Sequence, residues 1–337
     1  MTHRSLVSLL ALQIVVHPIL THTASGQIRP AKINVSYAST SAVFLPYWIA
    51  KDRDLYKRYG VDAQLIYIAG ASKNMQSLMA NDIQFAGVGT GAIEANVRGG
   101  GTVYVASFVN HFIFSLYGNP RISAIQDLRG APIGVTRFGT ATEYAARFVL
   151  SKYGLNPDKD VTILQTGGIP ETLAAISSGA IKAGIVSPPL TLRARRLGLK
   201  ELVNITALKL PFIQSGAVVA QKYISAQPEN VMAMTKALVQ AISMIKNDKT
   251  FAKTVIGKYT HVSDDDLLEE TYRALSGEFP RVPYPPSEAL KVMLGIINER
   301  ETNKIREPVE KFVNNTFLKK LEEDGFVNEV YRAGGKQ

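Results

Sequence analysis

The chain has 337 residues, a formal net charge of +10 and no cysteine. Its length suits two domains of ordinary size. Its composition, 46% apolar and 20% charged, excludes a disordered or fibrous chain. The missing thiol excludes disulfides, Cys-ligated zinc, iron–sulfur clusters, a Cys nucleophile and a Cys-linked lipid anchor. Three of the histidines, His3, His17 and His22, fall near the N-terminus, so His111 and His261 remain for any histidine chemistry.

Residues 1–26 read as an address. Arg4 supplies a thin positive region, Leu6 to Val16 is mostly apolar, and Pro18 breaks the run. Ala24-Ser25-Gly26 fits a small-x-small cleavage site, so a secretory signal peptide cut near Gly26–Gln27 is expected. The apolar run is shorter than the ~20 residues a membrane span needs. An exported, cysteine-free chain suits a bacterial periplasm.

From residue 31 the pattern alternates between strand and helix periods. Ala31–Ala38 alternates as a strand, Ser39-Thr40-Ser41 can cap, and one helix is expected through Phe44, Trp48 and Leu55 to Gly60. Val61–Ala69 is the second strand, and Ser72 is the expected cap of a helix carrying Met75 and Leu78. Phe85–Val88 is a strand, Thr90-Gly91 opens a helix ending at Gly99–Gly101, and Val103–Phe108 is the next strand. Such repeats imply a largely parallel sheet with helices on its faces.

A second α/β unit follows over about 118–210, after an expected strand at Phe112–Tyr117. Its strands are expected at Ala131–Val135, Val161–Gln165, Ala183–Val186 and Leu202–Ile205. Thr140-Ala141-Thr142-Glu143 has the spacing of a capping box. Gly168-Ile169-Pro170-Glu171 puts Pro and an acid in a first helical turn. Phe212–Val219 is an apolar strand leading back. After Pro228 the pattern is helical, with Ser263 expected to cap one helix and Pro285-Pro286-Ser287 to start another.

The motifs of phosphate, dinucleotide and zinc-protease chemistry are missing. There is no G-x-x-x-x-G-K-[ST], no G-x-G-x-x-G and no H-E-x-x-H. Neither His111 nor His261 accompanies a G-x-S-x-G elbow. Arg193, Arg195, Arg196 and Lys200 cluster on one expected helix, but without a nucleic-acid-binding signature they read as a solvated face. No metal, cofactor or nucleic-acid partner is expected.

What remains is a set of polar helix starts that follow strands: Ser39–Ser41, Ser72, Thr90-Gly91, Gly139-Thr140-Ala141-Thr142 and Gly168. In open α/β sheets ligands sit outside the carboxyl ends of the strands. Helix N-termini there offer free N–H groups and a positive dipole end, which suit anionic or carbonyl groups. Each hydroxyl could equally cap only its own helix.

Several segments in order carry a family likeness. They are Leu45-Pro46-Tyr47-Trp48-Ile49-Ala50-Lys51 to Tyr59-Gly60-Val61, and Asp82-Ile83-Gln84-Phe85-Ala86. Further on come Ile125-Gln126-Asp127-Leu128-Arg129-Gly130, Tyr153-Gly154-Leu155, and Ser178-Gly179-Ala180-Ile181-Lys182-Ala183-Gly184 leading to Ser187-Pro188-Pro189. With them the chain resembles, over residues 31–325, the periplasmic solute-binding proteins of ABC importers in the nitrate/sulfonate/taurine and thiamine-pyrimidine-precursor group.

The resemblance implies an α/β, two-lobed periplasmic binding protein fold of type 2, each lobe a mostly parallel sheet flanked by helices. The first lobe would be 28–115 with 216–337, the second 116–215, with the ligand cleft between them. By position, the implied ligand-binding residues are Ser39, Thr40, Ser41, Phe44, Ser72 and Thr90 on one side. On the other side they are Phe138, Gly139, Thr140, Thr142, Gly168 and Pro188, with Gln214 at the second crossing. Phe44 and Phe138 could stack on a planar ligand or pack inside, and Arg137 could meet an anion or solvent. The implied role is capture, without catalysis, of a small solute such as a sulfonate, nitrate, carboxylate or pyrimidine precursor, and delivery to a membrane permease by a monomer.

Two alternatives stay open. A sensor module feeding a signalling receptor would have the same fold. Enzymes also use it: thiamine-pyrimidine synthases have a Cys-rich iron-binding segment that this chain lacks, and the enzymes that make menaquinone precursors are not exported.

Overall fold

The computed structural model describes residues 30–300 and 304–334. The expected address in residues 1–26 lies outside the described residues. Among the described residues, no helix is long and apolar enough to cross a membrane.

β1 (Ala31–Tyr37) leads through a short 3-10 turn, Ala42–Phe44, into α1 (Leu45–Asp52) and then α2 (Leu55–Arg58). The single helix expected up to Gly60 is therefore broken. Asp54 takes a left-handed φ of 51°, which ends the hydrogen-bond ladder, and Asp tolerates that conformation better than most residues. β2 (Val61–Tyr67), α3 (Ala71–Met79), β3 (Phe85–Val88), α4 (Ala92–Ala95) and β4 (Thr102–His111) follow. α3 is capped by Gly70 rather than Ser72, whose hydroxyl points to the other lobe.

The chain then builds a second sheet. β5 (Ser115–Gly118), β6 (Pro132–Val135), α5 (Ala141–Lys152), β7 (Thr162–Gln165) and α6 (Ile169–Ser178) come first. β8 (Ala183–Val186), α7 (Leu190–Arg196) and β9 (Lys200–Asn204) complete it. The bonds at the start of α5 differ from those of the expected capping box. Glu143 accepts the Gly139 N–H at 2.7 Å, but the Thr140 hydroxyl donates to the Arg137 carbonyl at 2.7 Å instead of capping. Thr140 is thereby freed to face the cleft rather than its own helix.

β10 (Pro211–Ala220) returns to the first sheet. It is buried along nearly its whole length, and its mostly apolar or small side chains suit a strand covered on both faces. The remainder is helical: α8 (Gln221–Ala226), α9 (Pro228–Asn247), α10 (Lys249–Thr260), α11 (Asp265–Leu275), α12 (Ser287–Arg300), α13 (Thr316–Glu323) and α14 (Phe326–Gly334). Asp264, not Ser263, caps α11, accepting the Leu267 N–H at 3.1 Å. A carboxylate there also meets the positive end of the helix, which a serine hydroxyl does less well.

The strand order is β2-β1-β3-β10-β4 in the first sheet and β7-β6-β8-β5-β9 in the second. In each sheet one strand, β10 or β5, runs against the others. The two sheets are thus the mostly parallel, helix-flanked lobes that the resemblance implies. The chain leaves the first sheet after His111 and returns at Pro211, which pairs with His111. The strand expected at Phe112–Tyr117 pairs regularly only over Ser115–Gly118, because residues 112–114 span the gap between lobes.

An apolar hub fills that gap. Phe112 and Phe212 lie 4.2 Å apart, and Phe114 and Tyr144 pack on them at 6.0 and 5.7 Å. Phe112 and Phe212 are fully buried, worth about 2–3 kcal/mol each. Ala289, Leu290, Met293 and Ile297 of α12 belong to the same core, so the C-terminal helices brace the crossings.

His111 sits at this junction, with Lys209 Nζ 3.2 Å and Glu278 Oε2 3.5 Å from its Nε2. Burial holds its imidazole below the ordinary value of 6.5; Glu278 opposes the shift and Lys209 adds to it. A folded-state value below the unfolded one contributes stability in full above 6.5, and that stability is lost as pH falls through the folded value. Melting temperatures followed downward from pH 6.5 should therefore fall further for the natural chain than for His111→Gln. Parallel curves would show that His111 has no part in the acid response.

Candidate functional site

The turns that follow the strands of both sheets face one another across the cleft. A cavity of about 480 Å³, counting its mouth, lies between them. The first lobe lines it with Ala38, Ser39, Ser41, Val43, Phe44, Gly70, Ala71, Gly89 and Thr90. The second lobe supplies Thr136, Thr140, Ala141, Thr142, Ile169 and Ser187, and the crossings supply Phe114 and Gln214. No charged side chain is in this lining.

Each wall is held from behind. Ser215 donates to the Val43 carbonyl at 2.8 Å, which ties the turn carrying Phe44 to β10. Asn74 Nδ2 donates to the Gly70 carbonyl at 2.6 Å and fixes the loop before α3. Gly89 lies so close to β10 that a Cβ there would stand 2.2 Å from the Gln214 carbonyl oxygen. The Gln214 side chain accepts the Ile113 N–H, which joins the two crossings at the cavity floor.

Three hydroxyls form a triangle on the second-lobe wall. Thr136 and Thr140 are 3.1 Å apart, Thr136 and Thr142 2.8 Å, and Thr140 and Thr142 2.9 Å. Thr142 Oγ1 also accepts the Thr136 N–H at 3.0 Å. Because the Thr140 proton goes to the Arg137 carbonyl, Thr136 and Thr142 keep the two hydroxyl protons that can turn toward a solute. Beside them, the Ala141 and Thr142 N–H groups have no carbonyl of α5 to bond, and the positive end of its dipole faces the same space.

The lobes touch directly across the cleft. Thr90 donates to the Gly139 carbonyl at 2.9 Å and Ser72 to the Phe138 carbonyl at 3.2 Å. Tyr144 of α5 donates to Glu94 of α4 at 2.8 Å. On the opposite rim Arg195 pairs with Glu270 at 2.6 Å, and Arg196 pairs with Asp264 and, at 2.9 Å, with Asp266. Two of the four cations on the face expected to be solvated, Arg195 and Arg196, thus make a rim contact. These pairs are open to solvent, which screens them, so each adds little by itself. Arg195→Ala with Arg196→Ala should weaken solute affinity about threefold at low salt and not at ~1 M salt, where screening acts within ~3 Å. Calorimetry at the two salt levels checks this; an equal loss at both would rule out an electrostatic clasp.

Of the residues singled out from the sequence, Ser39, Ser41, Phe44, Thr90, Thr140, Thr142 and Gln214 converge on this cavity. Thr40 and Pro188 line a neighbouring one. Ser72, Phe138 and Gly139 meet as lobe-to-lobe hydrogen bonds rather than as lining. Phe138 is exposed, and Gly168 serves as the N-cap of α6. Arg137 lines neither cavity: its side chain lies along Gly70, where a Cβ would come within 2.6 Å of Arg137 Cδ. Sequence reasoning missed Thr136, Ser187 and Phe114. The first two directly follow β6 and β8, a position the sequence marks as plainly as it marks Ser39.

Two mixed, helix-flanked sheets joined by two crossings, with an uncharged cavity between them, define a two-lobed binding protein fold. Residues 41–250, more than half of the chain, match the NMT1/THI5-like family model, and the chain belongs to that family. YtlA of Bacillus subtilis, which carries a provisional binding-protein name, is 22% identical over 75% of this chain and 86% of its own. The alkanesulfonate-binding protein SsuA of Xanthomonas axonopodis pv. citri, solved with MOPS bound, superposes with a TM-score of 0.70 at 18% identity. It covers 86% of this chain and 99% of its own. The nitrate-binding protein NrtA of Synechocystis PCC 6803 superposes with a TM-score of 0.67 at 14% identity, over 90% of this chain and 89% of its own.

Proposed function

We propose that this chain is the solute-capturing component of an ABC importer, working in the periplasm after removal of residues 1–26. The observation that carries the reading is the neutral cavity between the lobes, walled by hydroxyls and helix N-termini from both sides. Such a wall holds an oxyanion by directed N–H and O–H donors, and with no basic side chain in the lining it holds it reversibly. A small sulfonate, nitrate or carboxylate is the solute class that suits it, and the sulfonate- and nitrate-binding relatives support that class.

The lobes, 28–115 with 216–337 and 116–215, move about the two crossings, to within the few residues of each connection. Closure brings Thr90 to Gly139 and Ser41 to Ser187, and the permease reads the closed form. The chain binds without reacting and acts as a monomer. Phe44 and Phe114 in the lining favour one second reading, a flat heteroaromatic solute such as a pyrimidine precursor.

Calorimetry of the cleaved chain against alkanesulfonates, nitrate, carboxylates and pyrimidines tests the proposal, with product analysis of each mixture by mass spectrometry. Saturable one-to-one binding of an unchanged solute is expected. Turnover of any of them, or binding of none, would overturn it. N-terminal sequencing of the exported protein checks the cleavage near Gly26–Gln27.

A further inference from the structure

A second cavity, of about 810 Å³ with its mouth, adjoins the first on the α7 side. Ser41, Ile169 and Ser187 line both, so they stand between the two, and the Ser187 hydroxyl donates to Ser41 Oγ at 3.4 Å. Like the first cavity, it exists only while the lobes are together. Thr40 and Thr260 to Val262 come from one lobe, and Pro188 to Arg193 from the other.

Its chemistry differs from that of the first. Arg193 and His261 are in its lining, and no carboxylate is. α7 carries three arginines, and α11 with its cap supplies the acids opposite them. Those acids are taken: Glu270 by Arg195, Asp264 and Asp266 by Arg196. Arg193, on the same short helix, has no ion-pair partner among the described residues. His261 stands opposite it in the left-handed region, φ 57°, at the C-terminus of α10. Glycine takes that conformation without strain and histidine does not, so a costly backbone holds an imidazole at the cavity wall.

We infer that the second cavity is a subsite for an additional anionic group on the solute, with Arg193 as its counter-ion. The inference rests on the reading of the first cavity as the solute site and extends it to a solute class: elongated dianions, one oxyanion among the hydroxyls and the other reaching past Ser41 and Ser187 to the guanidinium. Arginine suits the task because its planar fork pairs two-pronged with carboxylate, sulfonate or phosphate oxygens. Because both lobes build the cavity, a dianion spanning it favours closure more than a monoanion of equal length does.

Matched alkanesulfonates that end in a methyl or in a second sulfonate, over a range of chain lengths, test this by calorimetry on the cleaved full chain. At one chain length the disulfonate should bind about tenfold more tightly or better than its monosulfonate. Arg193→Gln should abolish that advantage while leaving monosulfonate affinity unchanged, and Arg193→Lys should restore part of it. Monosulfonate binding with no gain from the second sulfonate at any length, or a gain that survives Arg193→Gln, would overturn the subsite alone. Binding of neither class would overturn the sulfonate reading of the first cavity, and the subsite with it.

Discussion

Replacing Gly89 by alanine is expected to cost about 3 kcal/mol of stability and to abolish tight solute binding. The new Cβ would stand 2.2 Å from the Gln214 carbonyl oxygen and 2.4 Å from that of Ile213. These are backbone atoms of β10, just before the stretch from Ser215 that pairs with β4 and, from Gly216, with β3, so they have little freedom to move aside. The turn between β3 and α4 must shift instead. It carries the Thr90 hydroxyl that reaches Gly139, and the Gly89 carbonyl that accepts from Tyr104 at 2.9 Å. Overpacking in a close-packed interior costs ~1–3 kcal/mol, and backbone against backbone belongs at the upper end. Gly277→Ala is the control, because a Cβ there meets nothing within 4 Å. Thermal unfolding of the two variants decides the point: equal melting temperatures would mean that the approach of β10 to Gly89 is not a constraint.

The second large effect is on binding, in a variant that loses some stability and keeps its fold. Thr140→Val with Thr142→Val keeps the side-chain volume and removes two corners of the hydroxyl triangle. It leaves the Thr136 N–H without its acceptor and the Arg137 carbonyl without its donor. One hydrogen bond is worth ~1 kcal/mol, and more when its partner is charged. Solute affinity should therefore fall by about 2–3 kcal/mol, roughly 30- to 150-fold in Kd. Calorimetry with a sulfonate that the natural chain binds is the measurement. Undiminished affinity, with the fold intact by circular dichroism, would remove the second-lobe wall from the site.

Much of the architecture is legible in the amino-acid order, because strand and helix periods are local. The strands around Ile33, Phe85, Ile133 and Ile185 fall where the apolar pattern puts them. The ends of elements are less legible. The pattern points to one helix reaching Gly60 where Asp54 breaks it, to Ser72 and Ser263 as caps that the chain does not use, and to Thr140 as a cap whose hydroxyl turns to Arg137 instead. For Ser72 and Ser263 the choice is made by a group distant in sequence or by a better-charged neighbour. Ser72 turns to Phe138, and Asp264 displaces Ser263.

The site divides along the same line. That polar turns after strands wall a cleft follows from the order of strand, turn and helix, and that order marks Ser39, Ser41, Thr140 and Thr142. Which hydroxyls line the cleft and which clasp the opposite lobe is settled only by tertiary structure. Thr90 meets a carbonyl 49 residues away, and Arg195 an acid 75 residues away. The sequence alone determined a two-lobed α/β chain without cysteine chemistry. The folded molecule decided that two of the α7 arginines bridge the rim and Arg193 does not. The physical reason is that periodicity reports each residue's own turn and face, whereas the partner of a polar group is set by what the rest of the chain brings within hydrogen-bonding reach of it.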